Sequence, residues 1–112
     1  MNAGVPTGEV IIAFLNAVEG KEDEFNQWYT EQHLPEVVRL DGILAARRYA
    51  LPAALRGHLP YSYATIYEIE GSAAEAMQRI HTAEYESHSD ALDVSSMLMS
   101  PFEPFGVAVL PR

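Results

Sequence analysis

One segment of the sequence, residues 22–49, constrains the fold more than any other: it reads EDEFNQWYTEQHLPEVVRLDGILAARRY. Apolar and aromatic side chains recur at helical spacing in its first half, which predicts an amphipathic helix over residues 21–33. Pro35 has no backbone N–H and disfavours helical angles in the residue before it, so we expect this helix to break or kink there and a short second helix to follow. Asp41-Gly42 then leads into an apolar strand.

Four short runs rich in β-branched and aromatic residues, bounded by glycine or proline, are typical of strands. They cover residues 9–16, 43–51, 61–70 and 102–110. Pro101 and Pro104 make the last run an edge or bulged strand. Ser72 followed by Glu75 forms a capping box, which predicts the start of a helix that extends through Ile80, with an extension to Tyr85 left open. The order β-α-β-β-α-β predicts the ferredoxin-like α+β fold, a four-stranded antiparallel sheet with both helices on one face.

The remaining segments are predicted to be irregular. Residues 1–8 are small and marked by glycine and proline, so we expect a loose N-terminal tail to a single domain over residues 1–112. Residues 51–60 are bounded by proline and are too long for a tight hairpin, whereas residues 87–96 form either a short helix or a loop.

The first predicted strand is apolar on both sides, although helices can cover only one face of the sheet. Its two alternating sets are Val10, Ile12 and Phe14, and Ile11, Ala13 and Leu15. The uncovered set would form an exposed patch larger than soluble monomers usually tolerate. We therefore expect a homodimer in which two sheets pack face to face and close a barrel between them. The alternative is that a loop or the chain's own tail folds over the sheet.

The first helix and the strand after it carry a recognisable set of residues. The pattern is Phe25-x-x-Trp28-Tyr29-x-x-x-His33-x-Pro35-Glu36, followed by Gly42 and Arg48-Tyr49. This pattern resembles the EthD-like branch of the dimeric α/β-barrel superfamily, and over the rest of the chain the likeness is one of topology and length. The resemblance implies a homodimer with a pocket in each subunit, between the helices and the concave sheet. Relatives include cofactor-independent monooxygenases acting on polyketides, polyketide cyclases and lactone isomerases, and several use a pocket histidine as a proton carrier.

His33, which matches the histidine of this helix motif, is the candidate catalytic residue. An imidazole titrates near neutrality, so it can take a proton from carbon or phenol and return it in one turnover. Tyr29, one helical turn earlier, would orient the substrate or stabilise an enolate-like oxygen, and Trp28 and Phe25 would shape an apolar wall. The alternative is that the His33 ring bonds a carbonyl freed by Pro35 and caps the broken helix. The spacing of these residues leaves both interpretations open.

The predicted substrate-binding set also includes residues from two strands. Tyr63 and Tyr67 alternate on the third predicted strand, and Tyr49 lies on the strand before it. Hydroxyls that converge in an apolar cavity would suit a phenolic or polyketide-like ligand, whereas aromatic residues also favour strands for packing alone. Arg47 and Arg48 are neighbours on a strand and therefore point to opposite faces. We include Arg48 as a candidate for an anionic substrate group, with ion pairing as the alternative.

Charge and composition argue against several classes of function. The formal net charge is −9, from sixteen acidic and seven basic residues, and a field of that sign repels nucleic acid and anionic membranes. The chain has no cysteine, which removes disulfides and thiolate chemistry. Its start does not read as a signal peptide, and no apolar run approaches the roughly 20 residues of a membrane helix. We therefore expect a cytoplasmic protein.

No cofactor and no metal are predicted. Phosphate-loop, dinucleotide-binding and G-x-S-x-G signatures are missing from the sequence. His81, Glu84 and His88 could share a helical face and suit zinc or iron, but such a face is more often solvated surface. Some dimeric α/β-barrel relatives bind haem, and no axial histidine can be identified here.

Three hypotheses follow from these residues. The first is a cofactor-independent enzyme that acts on an aromatic, polyketide or lactone-type substrate by proton transfer, as in isomerisation or cyclisation, with cofactor-free oxygenation also open. The second is a non-catalytic small-molecule-binding or accessory dimer of the same fold. The third is a dimerisation module whose pocket is filled by its own aromatic residues. Whether a nitrogen of His33 faces a cavity discriminates among the three.

Overall fold

A four-stranded antiparallel sheet forms one layer of the fold in the computed structural model, which describes residues 8–112. Its strands are β1 (Val10–Leu15), β2 (Ile43–Ala50), β3 (Tyr63–Ile69) and β4 (Leu98–Phe102), in the spatial order β2-β3-β1-β4. All three strand pairings are antiparallel. The predicted ferredoxin-like α+β fold is confirmed. The predicted loose tail lies outside the described residues except for Gly8.

Helices cover one face of this sheet. They are α1 (Glu22–Trp28), a π-helical turn (Tyr29–His33), α2 (Leu34–Val37) and, after β3, α3 (Ala73–Thr82). The cap predicted for α3 is confirmed, because the Ser72 hydroxyl accepts a hydrogen bond from the N–H of Glu75 at 3.2 Å. No helix of the described residues has the length and apolar content to cross a membrane.

The first helix is interrupted before Pro35 by the π turn and continues as the short helix α2, so of the predicted break or kink the structure has a distortion without a break. Leu34 keeps helical angles (φ −60°, ψ −40°), and its N–H donates to the carbonyl of Tyr29, five residues earlier. In a regular α-helix the proline ring would collide with the carbonyl of Glu31. The wider π turn relieves that collision, so the chain passes the proline with one extra residue in the turn and remains helical.

The core lies between the helices and the covered face of the sheet. Its buried side chains include Ile11, Ala13 and Leu15 from β1, Tyr63, Tyr67 and Ile69 from β3, Phe25 and Val37 from the first helix, and Ala73, Ala76 and Ile80 from α3. Arg48 also points to this side, whereas Arg47 is exposed, as their alternation predicts. On the other face, no helix of the described chain covers the second apolar set of β1, and Leu98 and Phe102 are about half exposed.

The fourth strand lies earlier than the predicted residues 102–110. β4 is complete at Phe102, which pairs with Val10 at the start of β1, so no further residue of β1 is left to pair with the chain. Pro101 is tolerated inside β4 because an edge strand has one side without a neighbour. Residues 103–112 are exposed and contain no regular element.

The long connections between elements are irregular. Residues 51–60 contain a single 3-10 turn (Ala53–Leu55). Residues 87–96 form a loop and not a helix, which an isolated bridge between Ala17 and Leu92 ties to the end of β1.

Gly42→Ala is expected to lower the free energy of unfolding by about 1–2 kcal/mol or more. Gly42 has φ of +85°, where a side chain costs about 1–2 kcal/mol, and a Cβ there would lie 2.8 Å from Nη2 of Arg79. Moving Arg79 would also disturb its 2.9 Å hydrogen bond to the carbonyl of Asp41. Gly57→Ala is the matched control, since Gly57 has φ of +90° and no atom within 4 Å of its added Cβ. Equal losses for the two variants in urea denaturation would contradict a role for the Arg79 contact.

Candidate functional site

A cavity of about 230 Å³ lies between the helices and the covered face of the sheet. Its lining comprises Ala13, Tyr29, His33, Tyr67, Ile80, His81, Tyr85, Leu92, Met97 and Met99. Most of these side chains are apolar, and the polar groups among them are two imidazoles and three phenolic hydroxyls. An apolar wall with a few polar groups is typical of small-molecule pockets.

The π turn brings two of the predicted site residues to this cavity. Tyr29 begins the turn and His33 ends it, and both line the cavity. π turns are rare and occur frequently at functional sites. Here the turn accommodates the ring of Pro35, so the proline that was expected to break or kink the helix lies next to the turn that shapes the site.

Three aromatic rings hold the imidazole of His33. Trp28 stacks on it, with ring centroids 4.9 Å apart and planes at 21°. Tyr29 and Tyr85 meet it edge-on at centroid distances of 4.9 and 5.2 Å. This packing leaves the imidazole few orientations, so aromatic contacts and not hydrogen bonds fix where its nitrogens lie.

The two nitrogens of His33 have different surroundings. Nδ1 is buried and has no hydrogen-bond partner among the described residues. Nε2 also makes no hydrogen bond there but is not among the buried atoms, so it is the accessible nitrogen of a ring that lines the cavity. His33 therefore does not cap the helix, since its side chain makes no capping hydrogen bond.

Burial lowers the pKa of His33 from its ordinary value of 6.5, against an opposing effect of the Glu36 carboxylate. The imidazole is therefore neutral at pH 7, and its accessible nitrogen can accept a proton. Glu36 accepts hydrogen bonds from the Ser87 hydroxyl and from the N–H of Glu86, each at 2.6 Å. These bonds lower the pKa of Glu36, so its carboxylate remains ionised near the imidazole.

Tyr29 and Tyr67 share a hydrogen bond at the cavity wall, with their hydroxyl oxygens 3.1 Å apart. Both side chains are almost fully buried, at 3% and 1% exposure. Burial raises the pKa of Tyr29 and raises that of Tyr67 well above the ordinary value of 10.0, so both are neutral at pH 7. One hydroxyl donates to the other, and the accepting hydroxyl keeps a proton that it can donate to an oxygen of a bound molecule.

Arg48 lies behind this pair and does not line the cavity. Its guanidinium carbon is 4.8 Å from the ring centroid of Tyr29 and 5.4 Å from that of Tyr63. Nη2 donates to Oδ1 of Asn26 at 2.9 Å, and Nη1 donates to the Thr30 hydroxyl at 3.1 Å. The cation therefore ties the helix to the sheet, and its charge partly offsets the effect of burial on the pKa of Tyr29.

The other predicted substrate-binding residues also lie outside the cavity lining. Phe25 is fully buried in the core, and Trp28 supports the imidazole from behind. The Tyr63 hydroxyl accepts a hydrogen bond from Nδ2 of Asn26 at 3.1 Å. Tyr49 is half exposed and lies in register on the uncovered side of the sheet, away from the helices. The predicted residues that the cavity brings together are His33, Tyr29 and Tyr67.

Sequence reasoning missed Tyr85, Met97 and Met99. The two methionines alternate around the exposed Leu98, and that alternation was a strand signal that the sequence offered. Tyr85 gave no such signal, because its place beside His33 depends on the turn after α3, where its hydroxyl donates to the carbonyl of Ile80 at 2.6 Å. Its pKa is raised, mainly by burial.

Potential metal ligands do not converge in the part of the chain that the structure describes. Within residues 8–112, no three histidine, aspartate or glutamate side chains are placed to hold a metal ion, and this includes His81, Glu84 and His88. His81 lines the cavity near its exposed rim.

Comparison with known proteins identifies the fold. No model of a known protein family matches the sequence, and no curated protein sequence matches it. The structure is similar to the crystal structure of HapK from Hahella chejuensis, with a TM-score of 0.63 and 17% identity over 93% of this chain and 99% of that chain. It is also similar to the crystal structure of At3g17210 from Arabidopsis thaliana, with a TM-score of 0.61 and 13% identity over 91% of this chain and 99% of that chain. At these identities the likeness establishes a shared small α+β fold.

The imidazole of His33 is expected to titrate below pH 6.5. A ¹H NMR titration measures this, with the signal assigned by its loss in His33→Gln. Trp28 is the only tryptophan and stacks on the ring, so its fluorescence should fall over the same pH range. Because the unfolded chain binds this proton at higher pH than the folded chain, the free energy of unfolding should decrease as pH falls from 6.5 through the lowered pKa. His33→Gln should lose that decrease, and titration at or above 6.5 would contradict the burial of the ring.

Tyr67→Phe is expected to lower the free energy of unfolding by about 1–3 kcal/mol, because it leaves the buried Tyr29 hydroxyl without its partner. The double variant Tyr29→Phe/Tyr67→Phe removes both hydroxyls and should lose less than the sum of the two single variants. Tyr49→Phe, at a half-exposed position, is the control and should stay within about 0.5 kcal/mol of wild type. Additive losses in this double-mutant cycle would contradict the hydroxyl pair.

Proposed function

We propose that this protein is a cofactor-independent enzyme that moves a proton on a small aromatic, polyketide or lactone-type substrate. The observation that supports this most directly is the meeting of two kinds of group in one apolar cavity. A neutral imidazole with an accessible Nε2 and a buried pair of tyrosine hydroxyls all line it. A base and an oxygen-binding donor are the two groups that proton abstraction next to a carbonyl requires.

The proposed reaction begins when a substrate carbonyl oxygen accepts a hydrogen bond from the Tyr29–Tyr67 pair. Nε2 of His33 then takes a proton from the adjacent carbon, and the electrons of the broken C–H bond move to the carbonyl oxygen. The tyrosine hydroxyl stabilises the enolate that forms. Return of the proton from Nε2 to a different carbon completes an isomerisation. In a cyclisation the enolate carbon instead attacks a second carbonyl, the C–C bond of the ring forms, and Nε2 returns its proton to the resulting alkoxide oxygen.

The lowered pKa of His33 fits this role at neutral pH. A base must be unprotonated before it reacts, and burial keeps this imidazole neutral above its lowered pKa. The raised pKa values of Tyr29 and Tyr67 keep both hydroxyls protonated as donors. Burial therefore keeps the base unprotonated and the hydrogen-bond donors protonated at the same pH.

The cavity also bears on the substrate class. Met97, Met99, Leu92 and Ile80 form apolar walls, and a volume of about 230 Å³ suits a small molecule. The net charge of −9 disfavours the approach of an anion. A neutral, mainly hydrocarbon substrate with one enolisable carbonyl fits these constraints. Cofactor-free oxygenation would use the same carbanion, with molecular oxygen as the co-reactant.

Membership of the EthD-like branch and a homodimeric assembly belong to the same proposal. The helix motif that contains Trp28, Tyr29 and His33 supports the branch. The apolar face of the sheet that no described helix covers supports a dimer with two sheets packed face to face. A cytoplasmic location remains the expectation from the sequence.

A second candidate function is ligand binding without turnover. Catalytic histidines usually have a partner that orients the second ring nitrogen, and Nδ1 of His33 has none among the described residues. The Nδ1–H tautomer that frees Nε2 to act as a base would therefore keep a buried N–H without an acceptor. This single feature favours a binding protein over an enzyme.

Hydrogen–deuterium exchange into carbon acids tests the proposal. Anthrone and 2-coumaranone each have an acidic C–H next to a carbonyl, and ¹H NMR in D₂O follows the loss of that signal. We expect the protein to accelerate exchange of at least one probe, and His33→Gln to reduce the protein-catalysed rate about 100-fold or more. The rate should rise with pH through the lowered pKa of His33 and then stay level, because the base must be neutral and the tyrosines remain protonated.

His58→Gln is the matched control, because His58 lies in the exposed loop of residues 51–60 and lines no part of the cavity. Trp28 fluorescence reports binding of each probe independently of exchange. A probe that binds without exchanging faster, in wild type and His33→Gln alike, would favour the binding protein and reject the enzyme.

A further inference from the structure

The C-terminal arm, residues 103–112, is mostly apolar, yet every one of its residues is exposed in its own protomer. Phe105 is 105% exposed, Val107 88% and Val109 94%. Every residue of 103–112 is exposed, and Leu110 is about half exposed. Scattered exposed apolar residues are ordinary, but a continuous run of this kind marks a contact with something else.

An apolar groove of about 300 Å³ offers such a contact on the same protein. Phe14, Tyr49, Leu59, Pro60 and Tyr61 line it, and no charged side chain contributes to its walls. Tyr49 and Leu59 are 50% and 58% exposed. The groove opens at the sheet end where Phe14 pairs with Leu98, beside the face that no described helix covers.

The groove lies at the opposite end of the sheet from the start of the arm. The arm leaves β4 at Phe102, which pairs with Val10, whereas the groove begins at Phe14. Four residues of strand separate these ends by about 13 Å. To fill the groove of its own protomer, the arm would have to turn back over the uncovered face, and its exposure shows that it does not do so.

We propose that the arm of each protomer packs into the groove of a second copy of the chain. When two sheets pack face to face about a two-fold axis perpendicular to their strands, the strand directions are opposed. The Phe102 end of one sheet then lies over the Phe14 end of the other. Ten residues reach at most about 33 Å, which exceeds the roughly 10 Å between β4 and β3 across the sheet. Symmetry gives two identical arm contacts.

The distribution of charge along the chain is compatible with this packing. Each protomer carries a net charge of −9, so two copies repel each other at long range. The arm has charged residues only at its ends, Glu103 and Arg112, and residues 104–111 are uncharged. An uncharged arm in an uncharged groove adds apolar contact to the dimer without bringing like charges together. The inference rests on the homodimer proposed above but not on the proton-transfer chemistry.

Cysteine cross-linking between two differently tagged chains tests the inference, because the native chain has no cysteine. One chain carries Val107→Cys in the arm and the other carries Leu59→Cys in the groove. The two are mixed under reducing conditions and then oxidised. We expect a disulfide-linked heterodimer as the main product. Gln78→Cys, on the helical side of the sheet in α3, replaces Leu59→Cys as the control and should give little product.

Truncation after Phe102 supplies the second measurement. The arm is exposed and contains no regular element, so removing it should leave the far-UV circular dichroism of the fold unchanged. Sedimentation equilibrium should show the dimer dissociation constant of the truncated chain raised at least about tenfold, or about 1.4 kcal/mol.

Four results would each overturn the inference. They are equal cross-linking of the arm to the Leu59→Cys and Gln78→Cys chains, a disulfide within one chain that carries both Val107→Cys and Leu59→Cys, a monomeric full-length chain, and an unchanged dissociation constant after truncation. Exchange of anthrone protons is scored separately, so loss of that activity bears on the proposed function alone.

Discussion

The hydrogen bond between Tyr29 and Tyr67 is the contact on which the candidate site depends. It joins the helical layer to β3 through two hydroxyls, 3.1 Å apart, in a core built mainly from apolar and aromatic side chains. A buried hydroxyl without a partner destabilises a fold, so each tyrosine stabilises the other. The pair thereby fixes the distance between helix and sheet at one point, and the cavity lies beside that point. Removal of both hydroxyls from water strengthens the hydrogen bond between them, and the same desolvation raises the pKa of each tyrosine.

Stability and chemistry therefore compete within one small core. A chain of this length buries only about two-thirds of its unfolded surface, so it has little apolar contact to spare. It nevertheless keeps Nδ1 of His33 and Nε1 of Trp28 buried without hydrogen-bond partners among the described residues. Unpaired polar atoms of this kind are uncommon in native cores and concentrate where function requires them. Both atoms belong to the stacked Trp28–His33 pair next to the cavity. Leaving them unpaired lowers the stability of the fold there, and packing alone does not explain that loss.

Local patterns in the sequence predicted most of the fold and a smaller part of the site. Element order, the Ser72 cap and the opposed directions of Arg47 and Arg48 depend on neighbours in sequence, and the structure agrees with them. The bounds of the fourth strand were predicted wrongly because they depend on which residues of β1 are available to pair, and that pairing is long-range in sequence. Tyr49 and Arg48 are consecutive on β2 and therefore point to opposite faces, with Arg48 on the helical side and Tyr49 half exposed on the other. Tyr85 was missed because its position follows from tertiary packing after α3.

The π turn at residues 29–33 has a consequence for how this sequence can vary in length. Removing one residue there would restore a regular α-helical register and rotate everything that follows by about 100°. Leu34 and Val37, now buried, would swing towards solvent, and the proline ring would again meet a backbone carbonyl. Insertions should be equally harmful in this turn, whereas the exposed connection of residues 51–60 has no such register to lose. Among natural relatives that keep this proline, single-residue gaps should avoid the first helix and collect in the loop between β2 and β3.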